Sequence, residues 1–266
     1  MPQTRQTIAG LNQNWAQLEA LPQVIVAYGH DLTAGETLAF HHHRRAQLVY
    51  ASQGVMTVTT GSAAYVVPPQ RAVWMPAEVE HRIDAHHAVA MRTLYIEPSV
   101  AERFPAEPCV LQVTALLREL IITAVAAGNV YTADSPQARL AQVILDQISA
   151  QPVAALILPL PEDQRLRRVT QALMKEASDS RNLDQWAREV GASKRTLNRL
   201  FTGQTGMSFR AWRQQRRLLR ALELLATGES VTSIALELGY QNSSAFIAMF
   251  RRCLGTTPTR YLQAPD

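Results

Sequence analysis

The sequence is short of cysteine, of long apolar runs and of any leader-like N-terminus, and each shortage removes a class of protein. Its 266 residues hold two cysteines, Cys109 and Cys253, far apart and outside any CxxC pair. A disulfide framework or a cysteine zinc site is therefore not expected. The best apolar stretch, Val153 to Leu160, is broken by Pro159 and is too short to span a bilayer. Met1 to Trp15 carry no apolar signal-type core, so the expectation is a cytoplasmic protein without membrane partners. What is present, 47% hydrophobic and 18% charged residues, suffices for sizeable cores over a length that allows two domains.

The net charge of +4 hides an asymmetry. From Leu160 onward 17 Lys and Arg stand against 10 Asp and Glu, while the preceding part carries 9 against 12. All seven histidines fall between His30 and His87. A basic C-terminal part suggests a polyanion, most often nucleic acid, because neutralised phosphates release counterions. The histidine-rich part needs a separate chemistry.

Texture divides the chain in the same place. Between Val24 and Ile96, short β-branched runs such as Val55-Met-Thr-Val-Thr-Thr and Met91-Arg-Thr-Leu-Tyr-Ile alternate with Gly, Pro and His, which predicts a small sandwich or barrel. Leu111 to Val125 and Ser135 to Ile148 are apolar at helical period, the second opening on Ser135-Pro136. Pro152, Pro159 and Pro161 mark residues 151–163 as a linker. Helical periodicity then runs to Tyr261. The expected division is 1–105 sensing barrel, 106–150 helical packing or dimerisation segment, 151–163 linker and 164–266 helical domain.

The helical domain repeats itself. Ala187 to Gly191 and Ala235 to Gly239 are each four apart, Phe201 to Gly206 and Phe250 to Gly255 each five apart, with the copies offset by 48 to 49 residues. Each copy, at about 183–204 and 231–254, has helix-turn-helix logic. A small Ala permits close packing, a Gly takes the left-handed turn, a Ser caps the next helix, and an apolar face (Leu197, Leu200, Phe201; Phe246, Phe250) docks it. The opposite faces carry Ser193, Lys194, Arg195, Thr196, Asn198 and Arg199 in the first copy. In the second they carry Gln241, Asn242, Ser243, Ser244, Arg251 and Arg252. These side chains can reach base edges and phosphates in a major groove. An ordinary helical bundle also uses Ala and Gly at turns, but two copies in register favour double-stranded DNA as partner. Between them Arg210, Arg213, Arg217 and Arg220 form a basic stripe on one long helix, readable as a solvated face or as phosphate contacts.

With the closing Gly255-Thr-Thr-Pro258-Thr-Arg-Tyr261, this C-terminal hundred residues resembles the AraC/XylS family of bacterial transcription regulators. The resemblance implies two helix-turn-helix subdomains joined by a long helix. It also implies a separate sensing and dimerising domain, a small effector, and RNA polymerase contact if the output is activation.

The N-terminal half is similar to the cupin motifs. His41, His43, Gln47 and Gly54 fit the first; Pro76 and His81 fit the second. The chain departs from the pattern at Gln47, where a carboxylate is usual, at Glu78, where Gly is usual, and at Ala85 in place of Asn. Three readings follow: a metal-free effector barrel with His41, His43, Gln47, His81 and Trp74 at the pocket, a regulatory metal site on His41, His43 and His81, or a metal-dependent cupin enzyme fused to a helical module. A divalent transition metal is the only cofactor implied, and DNA binding needs none. His42 would point away from its neighbours. The expectation as a whole is an α+β two-domain regulator: a cupin-like β-barrel with following helices, then an all-α tandem helix-turn-helix domain, without catalytic residues.

Overall fold

The computed structural model describes residues 18–154 and 156–262. The described residues form two compact units, one of 18–58 with 67–154, the other of 59–66 with 156–262.

The strands are β1 (Ile25–Leu32), β2 (Thr37–His41), β3 (Ala46–Gln53), β4 (Met56–Thr60), β5 (Ala63–Val67), β6 (Arg71–Met75), β7 (His81–Ala85), β8 (Val89–Ile96), β9 (Cys109–Gln112), β10 (Val153–Ala154) and β11 (Ile157–Pro159). In the first unit β1-β8-β3-β6-β9-β10 form a six-stranded sheet, with β1 at one edge, and β2 pairs antiparallel with β7. Register decides which face each side chain meets. Gln47 lies opposite Tyr95 and Met75, whereas its neighbour Leu48 lies opposite Leu94 and Trp74. Side chains alternate along a strand, so these two sets occupy opposite faces of the sheet.

The Leu48 face is covered by helices from the same chain. After the short α1 (Pro98–Ala101) come α2 (Ala115–Ala127) and α3 (Pro136–Ser149). Thr114 caps α2 by accepting from Leu117 N, and Ser135 caps α3 by accepting from Ala138 N, with Pro136 at the first position. Leu117, Ile121 and Ala124, with Ala141, Ile144, Leu145 and Ile148, bury against Ile25, Leu48, Tyr50 and Trp74. Each large aliphatic so placed contributes about 1.5–3 kcal/mol. The apolar run from Leu111 is not one helix: Cys109–Gln112 is a strand on β6, and the helix begins only after the Thr114 cap. The large aliphatic residues of α2 divide: Leu117 and Ile121 are in this core, Leu120 packs partly against it and Leu116 is 54% exposed.

The second unit carries α4 (Gln164–Lys175), α5 (Leu183–Glu189), α6 (Lys194–Thr205), α7 (Phe209–Ala226), α8 (Val231–Glu237), α9 (Ser243–Leu254) and α10 (Pro258–Leu262). Residues 151–163 hold two short strands, β10 and β11, the latter pairing with β5. Pro159 ends β11 and offers its carbonyl to Trp212 Nε1 at 2.7 Å. The amides of Glu162 and Asp163 both donate to Gln204 Oε1 at 3.0 Å. Proline cannot donate to a ladder, which suits these residues to short edge strands. No helix among the described residues is long and apolar enough to cross a membrane.

Candidate DNA-reading helices and ligand site

The two helix-turn-helix copies are alike down to their hydrogen bonds. In the first, Ala192 N donates to Ala187 O at 2.8 Å and Gly191 N to Arg188 O; in the second, Tyr240 N donates to Ala235 O at 2.9 Å and Gly239 N to Leu236 O. This is the double bond of a Schellman turn. It requires the left-handed φ of +67° at Gly191 and +74° at Gly239, which glycine adopts without a Cβ clash. Ala187 and Ala235 are buried where the helices meet.

The following helices start differently. Ser193 caps α6 through Thr196 N, as the pattern requires, but α9 is capped by Asn242, whose Oδ1 accepts from Ala245 N at 2.9 Å. The expected serine cap of the second copy is thus an asparagine one residue earlier, and Ser243 and Ser244 are the first helical residues. The extra residue in the second turn explains the 49-residue offset beyond it. Leu197, Phe201, Phe246 and Phe250 are fully buried, while Leu200 is half-buried. Arg195, Asn198, Arg199, Gln241, Ser244, Arg251 and Arg252 are exposed. Lys194 is exposed but pairs with Asp184 at 2.8 Å. Ser243 Oγ donates to Thr232, and Arg252 reaches Gln214 at 3.4 Å. Arg251 and Arg252 sit in the last turn of α9, where cations also suit the helix dipole.

The arginine stripe on α7 fits neither sequence reading at most of its positions. Arg213 donates to Arg181 O at 3.0 Å and lies over Phe209. Arg217 donates to Ala177 O at 3.0 Å and lies over Tyr240. Arg220 pairs with Glu237 at 2.9 Å and Glu223 at 3.0 Å. Arg216, outside the stripe, donates to Met174 O and faces buried Glu223. These guanidinium groups bind the helices to one another; Arg210 alone of the stripe is exposed. Helical spacing identifies a basic face but not the carbonyls that later fold onto it.

In the first unit His41, His43 and His81 converge. His41 on β2 pairs with His81 on β7, and one ring nitrogen from each of the three lies within 4.8 Å of the others. His43 Nε2 and His81 Nε2 each stand 3.1 Å from Gln47 Oε1. Gln47 Nε2 donates to Thr93 Oγ1 and Tyr95 OH, both at 2.8 Å. Thr93 and Tyr95 escaped the sequence reading; the signal was the alternation of β8, which puts both on the Gln47 face. The Nδ1 atoms contact the carbonyls of Ala39, Arg45 and Val79 at 2.8, 2.5 and 2.8 Å. A carbonyl only accepts, so each Nδ1 carries the proton and, in a neutral ring, each Nε2 keeps its lone pair.

Neutral rings are what burial enforces. Desolvation pushes the pKa values of His41 and His43 below the ordinary range and that of His81 down to about 3. The donor set is then three imidazoles and an amide with no carboxylate among them. It fits a borderline-soft divalent ion better than magnesium or calcium.

One expected member lies elsewhere. Trp74 is on the opposite face of the sheet, its ring tilted against that of Phe104 and its Nε1 donating to Pro105 O at 2.8 Å, so it does not line this cluster. His42 is exposed beside Glu78, at 3.8 Å. Glu78 itself has φ +63°, the conformation glycine would take at that position.

Comparison with known proteins agrees with both halves. A helix-turn-helix domain model matches residues 186–264, and an AraC-like ligand binding domain model matches residues 26–157. The chain is 38% identical over 253 residues to the HTH-type transcriptional regulator NimR of Escherichia coli K12, covering 95% of this chain and 92% of that protein. It is 37% identical to the HTH-type transcriptional regulator RipA of Corynebacterium glutamicum over 39% of this chain and 31% of RipA. It is 32% identical to the HTH-type transcriptional regulator ExsA of Pseudomonas aeruginosa over 50% of this chain and 43% of ExsA.

Proposed function

The chain belongs to the AraC-type family of HTH-type transcriptional regulators, DNA-binding regulators with a ligand-binding domain rather than enzymes, and from that premise we propose how this member reads DNA and senses its effector. The helices α6 and α9 enter two major grooves about 34 Å apart, one helical turn. Arg195, Asn198, Arg199, Gln241 and Ser244 read base edges; Arg251, Arg252 and Lys194 contact phosphates; Ser193, Thr196, Asn242 and Ser243 set the helix starts against the backbone. The observation that carries this is the pair of matching Schellman turns, each followed by a capped helix with an exposed polar face.

The sensing region is 1–105 with its helical segment 106–150; residues 151–163 connect it to the DNA-binding domain at 164–266. A small effector bound there changes operator affinity by linkage. A cytoplasmic homodimer suits paired operator sites, and RNA polymerase is a partner where the output is activation. Footprinting on genomic fragments at two salt concentrations tests the reading. Discrete sites about two turns long with two half-motifs are expected. Diffuse, salt-sensitive protection with no sequence preference would overturn it.

One observation favours a second role for the histidine cluster. His43 Nε2 and His81 Nε2 both face the Gln47 carbonyl oxygen, a ring nitrogen of His41 lies within 4.8 Å of theirs, and every Nδ1 is engaged by a backbone carbonyl. His41, His43, His81 and Gln47 would hold a zinc, nickel, copper or iron ion, which would supply a fixed positive charge joining β2, β3 and β7. DNA binding itself needs no metal.

A further inference from the structure

A cavity of about 440 Å³ opens beside the sheet, away from the histidine cluster, between the chain entering β1 and the start of α3. Its size is that of a small-molecule site. Val24, Ala138 and Ala141 give it apolar walls, and Gln23, Tyr131, Arg139 and Gln142 are its polar groups. No carboxylate among the described residues lines it. Arg139 donates to the Asp134 carbonyl at 2.9 Å and has no carboxylate at ion-pair distance among the described residues. Gln23 Oε1 is buried without a hydrogen-bond partner, although the amide nitrogen of the same side chain donates to Tyr131 O. Behind this wall the buried Arg45 guanidinium donates to the carbonyls of Gln23 and Leu21, with Glu19 and Glu97 acting on it only at longer range.

We propose that this cleft is the effector site of the ligand-binding domain, and that its occupant is an amphipathic organic anion with an apolar body and an N–H or O–H donor. The anion answers Arg139, the donor answers the Gln23 oxygen, which otherwise carries a desolvation cost, once that side chain turns from its buried position toward the cleft, and the apolar body covers the alanine and valine walls. The proposal rests on the regulatory reading above and moves the sensing site out of the barrel.

The cleft is wired to the sheet edge. At the start of β1, outward backbone groups are satisfied by side chains of the α2–α3 loop: Asn129 Oδ1 accepts from Ala27 N at 2.8 Å, Asn129 Nδ2 donates to Ala27 O at 2.9 Å, and Tyr131 OH donates to Ile25 O at 2.9 Å. Tyr131 therefore both lines the cavity and holds the edge strand. An occupant that displaces its ring alters how the α2–α3 loop grips β1.

The probe is 8-anilinonaphthalene-1-sulfonate, which combines two ring systems, one N–H and one anion. Titrated into the folded full-length protein, it is expected to bind saturably at one site per chain with enhanced emission. Arg139→Glu, on the surface, should weaken binding about tenfold by reversing the charge. Gln23→Leu should weaken it less, and Ala138→Trp should abolish it by filling the space. The neutral analogue N-phenyl-1-naphthylamine should bind more weakly than the sulfonate. Absence of saturable binding, or binding that neither R139E nor A138W changes in proteins with an unaltered melting transition, overturns the proposal. Footprinting of the same preparation separates the two failures: protein that protects discrete sites yet fails these titrations loses the cleft and keeps the regulatory reading.

Discussion

Gln47 and His81 meet through two atoms that both accept hydrogen bonds, the amide oxygen and Nε2, 3.1 Å apart. His43 Nε2 approaches the same oxygen at the same distance. A cation at the centre satisfies all of them at once. Rotation of the amide by half a turn does so as well, by turning its NH₂ group to the two rings and leaving its oxygen to Tyr95 OH.

Gln47→Glu distinguishes these arrangements because a carboxylate is a far stronger ligand than an amide. The variant is expected to bind one zinc or nickel ion per chain at least about tenfold more tightly than the unaltered protein, by isothermal titration. Failure of either protein to take up metal would leave the cluster a hydrogen-bonded node.

Acid should destabilise the first unit. The folded-state pKa values of His41, His43 and His81 lie below the unfolded value, that of His81 at about 3. Above about pH 6.5 both states are neutral and stability is intact. Below it the unfolded chain takes up protons that the native cluster refuses, so stability is lost as pH falls toward about 3. The slope is at most about 1.4 kcal/mol per pH unit for each ring. Histidine ring-proton NMR from pH 8 to 5 should show the His81 resonance unmoved and those of His41 and His43 titrating below the ordinary imidazole range; all three titrating near 6.5 would contradict the burial argument.

Glu78→Gly should stabilise the protein. Glu78 is exposed and holds φ +63°, a left-handed conformation that costs a side-chain-bearing residue about 1–2 kcal/mol. The gain in unfolding free energy should be about 0.5–1 kcal/mol after the greater unfolded-state freedom of glycine is counted. A loss of stability in urea melts would mean that the His42 contact outweighs the strain.

Arg195→Ala and Asn242→Ala should part company. Arg195 is an exposed α6 residue, so its loss should leave the melting temperature unchanged and reduce discrimination between operator and random DNA by about 1–3 kcal/mol. Asn242 caps α9, and its loss should also cost about 1 kcal/mol of folding stability. Equal melting temperatures would rule out the cap as an energetic contributor, and unchanged discrimination in R195A would remove Arg195 from the reading face.

Local rules determined much of this protein before any folding was considered. Repeated Ala, Gly and Phe at fixed spacing specified both helix-turn-helix copies, because a left-handed turn, a close helix approach and an apolar face are satisfied within some twenty residues. The three histidines group by the resemblance to the cupin motifs and not by a local rule: strand alternation sets only His42 apart, and β2 in fact ends at His41. Other outcomes depended on partners distant in sequence. Trp74 and Gln47 are separated by the register of β3 on β6, which one residue of slip would reverse. The arginines of α7 are tied by carbonyls and carboxylates up to about forty residues away. The cleft beside β1 exists because the α2–α3 loop, a hundred residues on, supplies the hydrogen bonds that an edge strand lacks. A sequence states what each residue can offer; only the tertiary structure chooses which offer is taken, since every buried polar group must find its partner wherever the chain has brought one.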